Sequence, residues 1–107
     1  MVTTDEPTAI TDAYAFIKVS AMERLADNIQ VVVNLAANHR EGERTYHTLL
    51  RACREFLKLE PKLAGVVRRD DHVKDAIRRQ SPLLTRHPGC EAAVDVEAIA
   101  KRLVESL

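Results

Sequence analysis

Apolar and polar positions alternate in two different rhythms along this chain. In the segment after Pro7, Ile10, Tyr14, Ile17, Ala21 and Leu25 recur at steps of three and four, which predicts a helix over about residues 9–26 with Thr8 as its N-cap. Ala9, Ala13 and Phe16 widen the apolar face beyond a narrow stripe, so this helix is either covered on two sides or presents a surface to a partner. The run "NIQVVVNLA" then places Ile29, Val31, Val32, Val33 and Leu35 almost without alternation, the mark of a strand buried on both faces of a parallel sheet. After a polar loop, "NHREGE", the stretch from Arg44 carries Tyr46, Leu49, Leu50, Cys53, Phe56 and Leu57 on one helical face. Glu60-Pro61 ends that helix, and "KLAGVVR" predicts a further strand at about Leu63 to Val67.

A helix follows, with Val73, Ala76 and Ile77 inward and Asp70 or Asp71 as its cap. "SPLLTRHPGC" reads as a loop, punctuated by Pro82, Pro88 and Gly89. A last helix, about Glu91 to Glu105, is expected to bury Val94, Ala98, Ile99 and Leu103. At the front, Val2 to Thr4 read as the tail of a strand too short to stand alone. The order is therefore βαβαβαα, a three-layer α/β arrangement with a parallel sheet of about three strands and right-handed crossovers. At 107 residues, with no linker and no internal repeat, the chain is expected to form one domain over residues 1–107.

Composition agrees with a folded domain: 46% of residues are hydrophobic and 30% charged. Residues 39–80 hold eleven basic and seven acidic groups, an excess of +4 that reads as a solvated helical surface rather than a nucleic-acid footprint. Cys53 and Cys90 are too few for a disulfide framework, no apolar leader follows Met1, and the apolar run Val31 to Val33 is far too short to span a bilayer. A reduced, cytoplasmic protein is the expectation.

The chemistry is defined largely by what is missing. None of the three glycines precedes a lysine, since Gly42-Glu43, Gly65-Val66 and Gly89-Cys90 are the only pairs, so there is neither a P-loop nor a dinucleotide fingerprint. His39, His47, His72 and His87 show no i, i+4 pair, and His87 and Cys90 flank a Pro-Gly turn without a second pair of ligands, so no metal site is expected. Cys53 lies in an apolar stripe and reads as core rather than nucleophile. Two stretches remain of interest, both at carboxyl ends of predicted strands where open α/β sheets bind ligands: Asn34 after "VVV", and "RRDD" from Arg68 to Asp71.

Those same residues carry a resemblance. "TTDEPTAITDAYAFIK" is similar to the "TTPEPTAITDAYALIK" stretch of MinD/ParA-like P-loop ATPases, in the branch (FlhG or FleN) that regulates flagellar number and placement. "VVVNLA", "EGERTYHTLLRACREFL" and "GVVRRDDHVKDAIRRQSPLLTRHP" continue it in the same order, over essentially residues 2–104. The resemblance implies the C-terminal half of a P-loop NTPase fold, without the Walker A lysine loop and switch motifs, and hence a noncatalytic fragment whose first strand has lost its beginning. It puts Asn34, Arg68, Asp70 and Val73 on the adenine side, with Gly65 also matching. Glu6, Asp12 and Tyr14 fall on the dimer or partner side. Asp5 and Arg68 stand where the family has proline. ATP and Mg²⁺ are implied for the intact family and no cofactor for this chain. Two alternatives stand beside it: an interaction module that self-associates or pairs with a separate P-loop half, and a relative of cobyrinic acid a,c-diamide synthase in the same superfamily. Homo-oligomers through the exposed sheet edge or first helix, and a flagellar regulatory partner, are the partners implied. The acidic residues among 91–107 favour packing on the sheet over contact with a membrane surface.

Overall fold

In the computed structural model, which describes residues 1–106, the β-branched run becomes the central strand of a parallel sheet. Strand β2 (Gln30–Ala36) lies between β1 (Val2–Thr3) and β3 (Lys62–Arg68), in the order β1-β2-β3. Val2 pairs with Val32 and Thr3 with Val33. The short β1 is held by more than its two residues: the Met1 amino group donates to Gln30 O at 3.0 Å, and Val32 N donates to Met1 O at 2.8 Å. Between the pairs Val31–Leu63 and Val32–Gly65 the register skips Ala64, a bulge in β3.

Helices α1 (Pro7–Met22) and α2 (His39–Ala52) cover one face. There Ala13 and Ile17 of α1 meet Leu49 of α2, Cys53, Val31, Val33 and Ala36 of β2, and Val66 of β3. Helix α5 (Glu91–Glu105) covers β3 on the other face, where Ala92 and Ile99 pack with Ala64 and Val67. Layers of helix, sheet and helix result, the three-layer α/β class expected from the β-branched runs alternating with amphipathic segments. Two glycines set the layer spacing. A Cβ on Gly42 would come within 2.3 Å of Val66 Cγ1, and one on Gly65 within 2.4 Å of Ile99 Cγ1. Both helices therefore approach the sheet more closely than any side chain at those positions allows.

Several boundaries differ from the periodicity. Helix α1 begins at Pro7 rather than after a Thr8 cap, because proline's fixed φ suits the first helical position, and Glu6 precedes it without a side-chain cap. It stops at Met22, where Arg24 turns left-handed (φ 60°) and Leu25 N closes onto Ser20 O at 2.7 Å. "NHREGE" is helical rather than a loop: the Asn38 side chain accepts from Glu41 N at 2.8 Å and caps α2. The end of that helix widens into a π-helical turn, Cys53–Leu57, which rotates the following side chains, and Phe56 faces solvent at 71% exposure instead of joining the core. Helix α3 (Asp71–Arg78) is capped by Asp70, and Ile77 is exposed rather than inward. A short helix, α4 (Leu83–Arg86), interrupts the expected loop, so the order gains one element. In α5 the buried set is Ala92, Ala93, Asp95 and Ile99, whereas Val94, Ala98 and Leu103 are exposed.

Candidate functional site

The carboxyl ends of β2 and β3 meet the amino ends of α2, α3 and α5 at one rim. Its shape depends on a residue that periodicity treats as ordinary core. Leu35 takes a left-handed backbone (φ 56°), uncommon and costly for a branched side chain, and the β2–β3 register shifts between Val33 and Ala36. Ala36 then pairs with Arg68, and Arg69 N donates to Ala36 O at 2.7 Å.

Asp95 is the organising group of this rim. Its carboxylate is buried in α5 and accepts three hydrogen bonds from Arg68: the backbone N at 2.9 Å, Nε at 3.0 Å and Nη2 at 3.2 Å. His39 Nε2, from the first turn of α2, lies 3.0 Å from Asp95 Oδ1. Burial pushes the Asp95 carboxyl upward, but the hydrogen bonds from Arg68 and His39 outweigh it and hold the group below the usual carboxylate range. Arg68 also reaches Glu91 at 3.5 Å. One carboxylate thus ties β3, α2 and α5 together where the strands end.

Asp70 is a second junction. Its Oδ1 accepts from His72 N at 2.9 Å, capping α3, and its Oδ2 accepts from Ala92 N at 3.1 Å in the first turn of α5. Those backbone donors, with help from the His72 ring and the Cys90 thiol, hold its carboxyl far below the ordinary value. His72 Nδ1 lies 2.7 Å from the same Oδ1. Cys90, the N-cap of α5, accepts from Ala93 N at 3.4 Å, and burial pushes its thiol upward. Farther out, Asp75 is kept ionised by His87, Arg86 and Arg79, with His87 Nε2 at 2.6 Å.

The expected site residues divide into three groups. Arg68 ends β3 and Asp70 follows it at the rim, whereas Asn34 lies inside β2, two residues before its end at Ala36. Asn34 faces the α5 side, where with Val2, Val32 and Val67 of the sheet and Val96 and Ile99 of α5 it lines a shallow groove of about 260 Å³. Arg68 turns toward Asp95 and Glu91, and Val73 packs against the Ala64, Val67, Ala92 and Ile99 cluster. Glu6 and Asp12 are exposed at and just inside the start of α1, while Tyr14 packs onto the core between the helices and the sheet. Asp95 was not singled out by the sequence, Leu35 read as part of a buried strand, and His39 and Cys90 were weighed as metal ligands and set aside. A signal for Asp95 exists, because Ala92, Asp95 and Ile99 stand at helical steps of three and four, and an acid in that stripe requires a buried partner.

No family model matches the sequence. The chain is 30% identical over 103 residues to the antiactivator FleN of Pseudomonas aeruginosa, covering 96% of this chain and 37% of FleN. It is 31% identical over 108 residues to the flagellum site-determining protein YlxH of Helicobacter pylori, covering all of this chain and 36% of YlxH. Its fold matches the MinD cell division protein of Aquifex aeolicus with a TM-score of 0.70 at 19% identity, over 97% of this chain and 42% of that one. The chain thus spans a little over a third of the length of the flagellar relatives it matches. Among the described residues no helix is long and apolar enough to cross a membrane. Over the part of each relative that it spans, the chain is similar in sequence to FleN and YlxH, and its three-stranded parallel fold is that of the MinD cell division protein.

Proposed function

We propose that this chain is the adenine-side portion of a MinD-like nucleotide-binding fold, in a protein that regulates flagellar number or placement, and that it hydrolyses no ATP by itself. The observation that carries this reading is the rim, where the Arg68–Asp70 turn ends β3 and Asn34 lies two residues inside the end of the adjacent parallel strand β2, close to the position at which open α/β sheets take ligands. An asparagine amide offers both a donor and an acceptor, which suits the edge of a purine base. Nothing in the sequence grips phosphates, because no glycine-rich loop with its lysine is present, and positioning the phosphates is most of phosphoryl-transfer catalysis.

Calorimetric titration tests this. Adenosine, ADP and ATP should bind alike and weakly, with dissociation constants of about 1 mM, since only the base is held. Asn34→Ala should abolish that binding. Sustained ATP turnover that survives repurification, or binding unchanged by Asn34→Ala, would overturn the reading.

A second reading, self-association, is favoured by the outer side of α1. Phe16, Val19 and Met22 are exposed there, Leu25 follows just beyond, and Met22 is 75% accessible. Sedimentation should show a dimer at high concentration that Met22→Glu converts to monomer. A wild-type monomer under the same conditions counts decisively against it.

A further inference from the structure

The fold gathers three potential metal ligands that are spread over twenty-one positions of the sequence. An Asp70 carboxylate oxygen, a His72 ring nitrogen and Cys90 Sγ all lie within 4.8 Å of one another. They come from the N-cap of α3, its first turn and the N-cap of α5, and the Asp70 bond to Ala92 N draws the two helix starts together. We propose that Asp70, His72 and Cys90 form a binding site for a borderline-soft divalent metal ion of the Zn²⁺ type.

The donor set carries the choice of ion. One thiolate, one imidazole and one carboxylate are the ligands zinc favours, whereas Mg²⁺ and Ca²⁺ need oxygen-rich sites. Zn–N of about 2.0–2.1 Å and Zn–S of about 2.3 Å put tetrahedral ligand atoms roughly 3.3–3.6 Å apart. The present separations, none above 4.8 Å, need to close by at most about 1.5 Å and to open between Asp70 and His72, now at 2.7 Å. His72 can supply both adjustments, because its side chain is half exposed and bonded only through the ring to Asp70, while Asp70 and Cys90 are fixed by their caps.

Charge also balances. The carboxylate and the thiolate offset the two positive charges of the ion, and both anions sit at helix amino ends, which stabilise them. Metal binding moves the Cys90 thiol proton to solvent and shifts the imidazole proton away from the nitrogen that coordinates. The fourth position is left to water. The His87 ring lies 4.6 Å from the His72 ring, centroid to centroid.

Cobalt is the probe. Titrating Co²⁺ into the reduced chain should produce a thiolate-to-cobalt charge-transfer band that saturates at one equivalent and disappears on adding Zn²⁺. Cys90→Ser retains a good N-cap for α5 and should fold, as circular dichroism will verify, but should show no band. His72→Ala should weaken cobalt binding at least about 10-fold, as loss of one of three ligands requires. Independently of colour, Zn²⁺ should raise the melting temperature of the wild type and not of Cys90→Ser. Absence of the band in the wild type, or a band that persists in Cys90→Ser, would overturn the proposal.

Discussion

Replacing Asp95 by Ala lowers the stability of this protein by about 3 kcal/mol, which we expect to appear as a fall of more than about 10 °C in melting temperature. The size follows from what the substitution leaves behind. Asp95 is 5% exposed, and its removal strands the Arg68 backbone N–H and much of its guanidinium at the end of β3, while the half-exposed His39 ring turns to water. Coulomb attraction alone would contribute less, because Arg68 keeps some contact with water and with Glu91. Acid dependence separates the charge from the packing. The folded-state carboxyl of Asp95 lies below its unfolded value, so its contribution is present above about pH 4 and is lost as pH falls through the folded value. Urea titrations should show the gap between wild type and Asp95→Ala at neutral pH and its narrowing near pH 3. An equal gap at both would assign the effect to packing instead. Val94→Ala, one position away, should change stability by less than about 0.5 kcal/mol because Val94 faces solvent.

The second large effect is at Leu49. It is fully buried between α1, the sheet and the end of α2, and Leu49→Ala should cost about 3 kcal/mol through lost transfer energy and the cavity left behind. Phe56→Ala should cost less than about 0.5 kcal/mol, although Phe56 is the larger side chain and shares the apolar stripe with Leu49 in the sequence. Chemical denaturation of the two variants side by side is the check. A Phe56 effect as large as that of Leu49 would mean that the π-helical turn does not expose Phe56 as described.

Those two comparisons mark where the chain's pattern is a reliable guide. The position of β2 and the inward faces of α1 and α2 were legible because runs of β-branched residues, or apolar residues at steps of three and four, have few alternative ways to be buried. But β2 is fully buried on one face only, through Val31, Val33 and Ala36, while Val32 and Asn34 are partly exposed and Leu35 is exposed. The helical start of α2 was hidden because "NHREGE" looks polar, and only the Asn38 cap shows why a polar segment begins a helix. Phe56 was misplaced because one extra residue in a turn rotates everything after it, and a 3.6-residue period has no means of registering that. In α5 the period was right and the phase wrong. Val94 looked like the inward residue, but the stripe that packs on β3 is Ala92, Asp95 and Ile99, with a carboxylate in the middle.

The rim shows the same division. Where β3 ends, at Arg68 with Asp70 just beyond, was readable from the sequence, whereas β2 runs two residues past Asn34 to Ala36, so the stop of its apolar run at Val33 did not mark its end. The partners of the rim residues were not readable. Asp95 lies 27 positions from Arg68 and 56 from His39, and Cys90 meets Asp70 only because two helix starts share one carboxylate. By itself the sequence determined the class of fold, the parallel sheet and the residues available at its carboxyl edge, because periodicity and local capping are short-range effects. The tertiary structure alone decided which charges are buried, which apolar side chains remain in water and which histidine, cysteine and carboxylate converge. Those outcomes depend on helix phase and register, and a shift of one residue in either exchanges core for surface.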